Sequence, residues 1–409
     1  MIRLFIFLAF LLFIEIYSYQ AIKTVSNKKI RLTYIFTNTI LYFLLFLQII
    51  FYNYEKWEIL FKIQWVQRSF FSYNFGLFFT LIISKFIIVS ILISEDIIRG
   101  IKFLFSKIQN KQVNNSRRKF ISNISLAVAA IPIPIMIHGI TRGRYNFKVI
   151  KHEIDFKDLP KSFDGYTITH LSDFHCGSLQ SRSKLKYAID LVNEQNSDLI
   201  AFTGDFVNNT YTEILPWIDE FKKINSKDGK FSVLGNHDYG DYYDWGNEEN
   251  KKLGFEKLIE IQNELGFKVL RDESIHIKKN NEKISLVGVE NWGDGFKKKG
   301  DIDKAINDLD ESDFKIVLSH DPSHWDKILV NHKEKFNLTL SGHTHGMQFG
   351  IEIPGFIKWS PVKYRYKYWA GLYERSNQFI NVNRGFGVLG FPGRVGIWPE
   401  ITVIKLRKA

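Results

Sequence analysis

The chain has 409 residues, 45% of them apolar, with 36 phenylalanines and a formal net charge of +12. That length exceeds one small module, and the apolar fraction excludes a disordered chain. Residues 1–145 hold 18 of the 55 Lys/Arg but 5 of the 43 Asp/Glu, so the basic excess sits away from the C-terminal half, which argues against a nucleic-acid enzyme.

Four apolar runs come first, at residues 2–19, 34–51, 70–93 and 120–140. Each is near the ~20 residues a helix needs to cross a bilayer. Their Phe, Leu and Ile surround the helix, which suits a membrane span better than a half-buried core helix. Lys85 interrupts the third run and is expected to snorkel or to face the bundle, and Glu15 is a weaker blemish in the first. The first loop carries Lys23, Lys28, Lys29 and Arg31 with no acid; the second mixes Glu55, Lys56, Glu58, Lys62 and Arg68. The third opens with Glu95 and Asp96, then holds Arg99, Lys102, Lys107, Lys111, Arg117, Arg118 and Lys119. The positive-inside rule makes loops one and three cytoplasmic and sends the chain out of the cytoplasm after the fourth helix.

Residues 116–121, Ser-Arg-Arg-Lys-Phe-Ile, lead into an Ala-rich stretch and resemble a twin-arginine export signal, here internal. The resemblance implies passage through a twin-arginine translocase. The alternative is an ordinary positive-inside cluster. Both place the C-terminal part on the extracytoplasmic side.

From about Lys148 the pattern changes to short apolar runs that stop at polar clusters. Residues 166–171 end in Ser172-Asp173-Phe174-His175, 198–203 in Gly204-Asp205, and 231–234 in Gly235-Asn236-His237-Asp238. Residues 315–318 end in Ser319-His320, and 338–341 in Gly342-His343-Thr344-His345. Continuously apolar strands are buried on both faces. Helical patterns at 182–193, 213–224, 256–265 and 302–309 alternate with them, which predicts an α/β domain over 146–409 with its site at the strands' C-terminal ends.

The sole cysteine, Cys176, excludes a disulfide framework and a thiolate cluster, so histidine and carboxylate must supply any metal chemistry; Cys176 itself suits packing. Singly, each residue of the clusters has a structural use: an aspartate caps a helix, an asparagine fills a turn, a histidine sits satisfied in a core. In order, they offer seven oxygen and nitrogen ligands and a spare histidine. Such donors suit Mn, Fe, Zn or similar divalent ions, and two ions ~3.5–4 Å apart serve in-line displacement at phosphorus.

These five blocks, in this order, resemble the calcineurin-like metallophosphoesterases, most closely a membrane-associated bacterial branch. The resemblance implies a β-sandwich flanked by helices, a four-layer αββα domain. It also implies that Asp173, His175 and His345 bind one divalent metal ion, that Asn236, His320 and His343 bind a second, and that Asp205 bridges them. His237 would then serve the phosphate or the leaving group, with Asp238 orienting its ring. Asn208 stands where the family often has Asp, and Met347 where a glycine is common. Arg384 and Arg394, in glycine-rich loops, are candidate phosphate clamps, with structural ion pairs as the alternative. His152, His170, His276, His324 and His332 carry no family role. The stretch 357–373 mixes Trp359, Tyr364, Tyr366, Tyr368 and Trp369 with Lys358, Lys363, Arg365 and Lys367, which suits a membrane interface or an ordinary surface strand pair.

The expected protein is therefore a multi-pass membrane phosphoesterase. It would act on a phosphodiester, phosphomonoester or pyrophosphate, carried by a small molecule or a lipid, with two divalent ions and no nucleic acid. A non-catalytic scaffold or sensor on the same fold is the alternative.

Overall fold

The computed structural model describes residues 2–52, 64–106 and 115–409. It divides into two compact units, Met1–Thr141 and Arg142–Ala409. Glu55, Lys56, Glu58 and Lys62 of the second loop, and Lys107 and Lys111 of the third, lie outside the described residues.

The first unit consists of helices α1 (Ile2–Val25), α2 (Lys28–Tyr52), α3 (Gln64–Ser106), α4 (Asn115–Ala130) and α5 (Pro132–Thr141). Among the described residues four segments are long and apolar enough to cross a membrane: Phe5–Val25, Lys28–Leu47, Ser72–Leu104 and Ser116–Tyr145. The first loop shrinks to two residues between α1 and α2. At 43 residues α3 is about 65 Å long and outruns a single bilayer core. The run expected as one helix over 120–140 breaks at Ile131, because Pro132 removes an N–H donor and disfavours helical torsions in the residue before it. Lys85 faces the bundle rather than snorkelling: it pairs with Glu15 and also donates to Asn38, while Tyr42 Oη donates to Glu15 Oε1 at 2.5 Å. The two sequence blemishes are thus one internal ion pair, which is how a buried charge in an apolar bundle is accommodated. Arg118 likewise pairs with Glu95 and Asp96, both at 2.7 Å.

The second unit has fourteen strands. In chain order they are β1 (Lys148–Phe156), β2 (Thr167–Leu171), β3 (Leu199–Phe202), β4 (Lys230–Ser232), β5 (Phe267–Val269), β6 (Glu273–Lys279) and β7 (Glu282–Gly288). Then come β8 (Lys315–Leu318), β9 (Leu338–Ser341), β10 (Ile351–Ile353), β11 (Ile357–Trp359), β12 (Gly371–Arg375), β13 (Gln378–Val382) and β14 (Glu400–Lys408). One six-stranded sheet runs β1-β14-β2-β3-β4-β5 and the other β12-β13-β9-β8-β7-β6, with β10 and β11 forming a separate hairpin. The strands that carry the polar clusters, β2-β3-β4 and β8-β9, are parallel within their sheets.

Side chains alternate along each strand and so divide the core into layers. Leu199 and Ala201 of β3 meet Ile316, Leu318, Leu338 and Leu340 of the other sheet in the layer between the two, whereas Ile200 and Phe202 face outward. Helices α6 (Arg182–Asn193), α7 (Ile218–Phe221) and α8 (Glu248–Glu264) cover the first sheet through Leu185, Ile189, Phe221 and Leu258. Helices α9 (Ile302–Ala305) and α10 (Pro322–Lys327) cover the second through Ile302 and Trp325. The result is the four-layer αββα arrangement.

The helix expected over 213–224 survives only as α7, because Pro216 interrupts it, and α9 stops short of 309. Helix α8 begins earlier than 256 because the Asn247 side chain accepts from Asn250 N at 2.8 Å, an N-cap ahead of the apolar repeat. The β6–β7 hairpin turns at Asn280 and Asn281, whose positive φ values of 49° and 64° give the turn that matches strand twist.

Candidate metal centre

All five polar clusters lie just past the C-terminal ends of β2, β3, β4, β8 and β9. The backbone there leaves ordinary torsions: Asp173, His175, Asp205, His343 and His345 have φ of 53°, 44°, 59°, 69° and 50°. Left-handed torsions cost a residue with a Cβ roughly 1–2 kcal/mol and persist where surrounding structure imposes them. Here the loops hold one another. Asp173 N donates to Gly204 O at 2.9 Å, His175 N to Asp205 O at 3.1 Å, and Gly342 N to His320 O at 2.8 Å. The approach is close enough that a Cβ on Gly235 would meet Asp205 Oδ1 at 2.2 Å, and one on Gly342 would meet Asp173 Oδ2 at 2.3 Å.

Two groups of donor atoms result, Asp173 with His175 and His345, and Asp205 with His320 and His343, each gathered within 4.8 Å. His175 Nε2 and His345 Nε2 are 3.0 Å apart, and His345 Nε2 is 3.2 Å from Asp173 Oδ1. In the other group His343 Nδ1 and His320 Nε2 are 3.2 Å apart. Asp205 Oδ2 lies between the groups, 3.2 Å from His320 Nε2 and 3.6 Å from His175 Nε2, while Oδ1 accepts from His237 N at 2.8 Å.

Atoms behind these rings fix which nitrogen faces inward. His320 Nδ1–H donates to Thr203 O at 2.7 Å, which turns Nε2 toward the centre. Tyr366 Oη lies 2.8 Å from His343 Nε2, so Nδ1 is the inward atom there. Asn236 Nδ2 donates to Tyr242 Oη at 3.0 Å, and Asn236 Oδ1 and Asp173 Oδ1 are buried without hydrogen-bond partners. Buried oxygens left as acceptors beside converging imidazoles fit divalent cations.

The charges agree. Burial opposes ionisation of Asp173, but His345 and His320 outweigh it and hold the carboxyl below its usual range. Burial likewise opposes Asp205, which His320, His237 and His175 hold well below that range. Burial also opposes charge on His320, yet Asp205 and Asp173 lift its imidazole to about 10. The pair of carboxylates therefore favours positive charge at this spot.

His237 belongs to the same cluster, with its ring centroid 5.0 Å from that of His175. Its ring is not oriented by Asp238. His237 Nδ1–H donates instead to Asn208 O at 2.7 Å. The Asp238 carboxylate turns away and accepts from Asp205 N and Phe206 N at 2.8 Å and Gly235 N at 2.9 Å, clamping two loops together. The tight turn after β4 aims the two adjacent side chains in different directions.

The two arginines expected to clamp phosphate are committed elsewhere. Arg384 is buried and pairs with Glu352 and Glu400. Arg394 is fully buried; its Nη2 donates to Gly385 O at 3.0 Å and Gly387 O at 2.6 Å and lies 3.2 Å from His345 Nδ1. Arg384 thus ties the hairpin to β14, and Arg394 Nη2 braces the 385–387 loop while its Nη1 is buried without a hydrogen-bond partner. Thr203, Tyr242 and Tyr366 were missed by sequence reasoning, since a backbone carbonyl and tyrosines outside the five clusters leave no pattern within them. Met347 keeps a left-handed φ of 53° despite its side chain.

His170 stands apart from the centre. It is buried, accepts from Asn381 Nδ2 at 2.9 Å, and sits 2.9 Å from Thr203 Oγ1. Burial lowers its imidazole from 6.5 to about 4. The folded-state value is depressed, so this stabilisation is complete above pH 6.5 and is lost as pH falls toward 4. The loss is ~3 kcal/mol. Unfolding of the second unit followed by tryptophan fluorescence should show His170→Gln with a shallower decline between about pH 7 and 4 than the parent. Equal declines would refute this assignment.

Comparisons with known proteins place the chain among metallophosphoesterases. Residues 2–144 match a family described as probable calcineurin-like phosphoesterase, transmembrane domain, and residues 166–347 match the calcineurin-like phosphoesterases. The chain is 32% identical over 300 residues to the uncharacterized metallophosphoesterase YkuE of Bacillus subtilis, covering 71% of this chain and 98% of YkuE. It is 29% identical over 293 residues to the phosphodiesterase YaeI of Escherichia coli, covering 71% of this chain and 99% of YaeI. A transmembrane protein with a metallophosphoesterase domain from Danio rerio is 27% identical over 301 residues, covering 70% of this chain and 62% of that protein.

Proposed function

Since the chain belongs to the calcineurin-like metallophosphoesterases and is a metal-dependent hydrolase of phosphoric esters, we propose that it cleaves a phosphodiester, phosphomonoester or pyrophosphate at a membrane surface. The observation that carries this is Asp205, whose Oδ2 lies between two groups of nitrogen and oxygen donors. Asp173, His175 and His345 would hold one divalent cation, Asn236, His320 and His343 the second, and Asp205 both. Bound together, such cations lower the pKa of water and neutralise charge on a phosphoryl group. The chain's own part is positional. Asp205 and the left-handed loops fix the donors before substrate arrives. His237, with Nδ1–H held by the Asn208 carbonyl, points Nε2 toward the centre; in its imidazolium form Nε2–H would donate to a phosphoryl oxygen or give that proton to the leaving oxygen, returning to the neutral ring.

The four apolar segments anchor the enzyme in this proposal, which raises its effective concentration toward substrates in the same membrane. The charges of the first and third loops support an extracytoplasmic catalytic unit. Residues 116–121 support that side either as a twin-arginine-like signal or as positive-inside charge.

The test is hydrolysis of bis-p-nitrophenyl phosphate and p-nitrophenyl phosphate by the detergent-solubilised full chain, metal-stripped and after restoring Mn, Zn or Fe. Activity should return only with metal. His237→Ala should lower kcat by about 10²–10⁴ with bound metal unchanged. Turnover indifferent to chelation, or an undiminished His237→Ala, would overturn the proposal.

A further inference from the structure

The β10–β11 hairpin inverts the usual arrangement of a surface strand pair. Its register sets Ile351 opposite Trp359 and Ile353 opposite Ile357 on one face, with Glu352 opposite Lys358 on the other. The polar face is tethered to the domain: Glu352 pairs with Arg384, and Lys358, itself exposed, donates to Ala370 O and to Tyr373 Oη. The apolar residues are left outside. Ile351 and Ile353 are 50% and 52% exposed, Phe356 at the turn 85%, and Tyr364 just beyond 78%. An antiparallel pair with one solvated face normally turns its polar side outward.

We propose that this hairpin docks on an anionic lipid bilayer, its apolar face entering the boundary between headgroups and acyl chains. Beside the hairpin, residues 359–373 contain three cations, Lys363, Arg365 and Lys367, and no acid, complementary to anionic headgroups. Trp and Tyr beside Lys and Arg are the side chains that settle at a membrane interface. The chain also carries four membrane-length segments, the last running directly into this unit. So small a patch falls short of a stable interface with a second copy, which takes roughly 20–30 residues a side.

The docking face is tied to the metal centre. Ser360 Oγ donates to Gly346 O at 2.8 Å, in the loop that carries His345, and Tyr366 of the cationic stretch lies against His343. The surface thus presents the centre to phosphate esters in the headgroup layer; this consequence rests on the phosphoesterase reading, whereas the docking itself does not.

The experiment uses the full chain reconstituted into vesicles of phosphatidylcholine with or without phosphatidylglycerol. Phe356→Cys and, separately, Ile353→Cys are labelled with an environment-sensitive fluorophore, with Tyr187→Cys on α6 as the aqueous control; the native Cys176 is buried. Brominated acyl chains should quench labels at 353 and 356 several-fold more than at 187, and aqueous iodide several-fold less. The contrast should grow with phosphatidylglycerol and shrink in Lys363→Glu/Lys367→Glu. Labels as open to iodide as the control in both compositions would overturn the proposal. So would protection that follows protein density and ignores brominated lipid, which would identify a second copy as the occupant. Hydrolysis of bis-p-nitrophenyl phosphate by the same vesicles separates the two conclusions: lipid-buried labels on a protein that never hydrolyses would leave docking intact and remove the phosphoesterase reading.

Discussion

Asp205→Asn is expected to abolish metal-dependent hydrolysis, lowering kcat by at least about 10³, a loss of ~4 kcal/mol in transition-state stabilisation. Asparagine preserves the shape and can still accept from His237 N, so the loop should remain folded. What it removes is the negative charge between His175 and His320, the two imidazoles nearest Asp205 Oδ2. Bound metal should fall from two ions per chain to one or fewer, measured by elemental analysis of purified protein beside the parent. Two retained ions with activity within about tenfold of the parent would show that Asp205 is not the shared ligand.

Asp238→Ala should be the most destabilising change near the centre. The carboxylate accepts three short backbone N–H bonds, from Asp205, Phe206 and Gly235, in a buried setting. Each buried donor left without an acceptor costs about 1–3 kcal/mol, less than additively when neighbours relax together. A loss of about 4 kcal/mol in urea unfolding is expected, with weakened metal binding because the Asp205 loop loses its clamp. If Asp238 instead acted by orienting the His237 ring, stability would barely change and the pH profile of kcat would shift. Chemical unfolding together with a pH–rate profile distinguishes the two outcomes.

The blocks that carry the centre were legible in the sequence because a parallel strand ending in a polar turn leaves a local signature: an apolar run, then glycine with aspartate or histidine. The four apolar runs were legible for a similar reason, since crossing a bilayer requires length and composition that one segment displays alone. The break at Pro132 is equally local, a helix-ending residue inside an apolar run. By itself, then, the sequence determined the membrane-length helices, the alternating α/β order and the set of donor residues at the strand ends. Tertiary structure decided which atoms those residues offer to which neighbours. It turned Asp238 back onto the loops and gave His237 to the Asn208 carbonyl. It buried Arg384 and Arg394 as scaffold and brought Tyr366 against His343 across 23 residues of chain. It also tethered the polar face of the β10–β11 hairpin to the domain. These outcomes depend on left-handed torsions and on how loops fold against one another, which the pattern of residue types along the chain does not record.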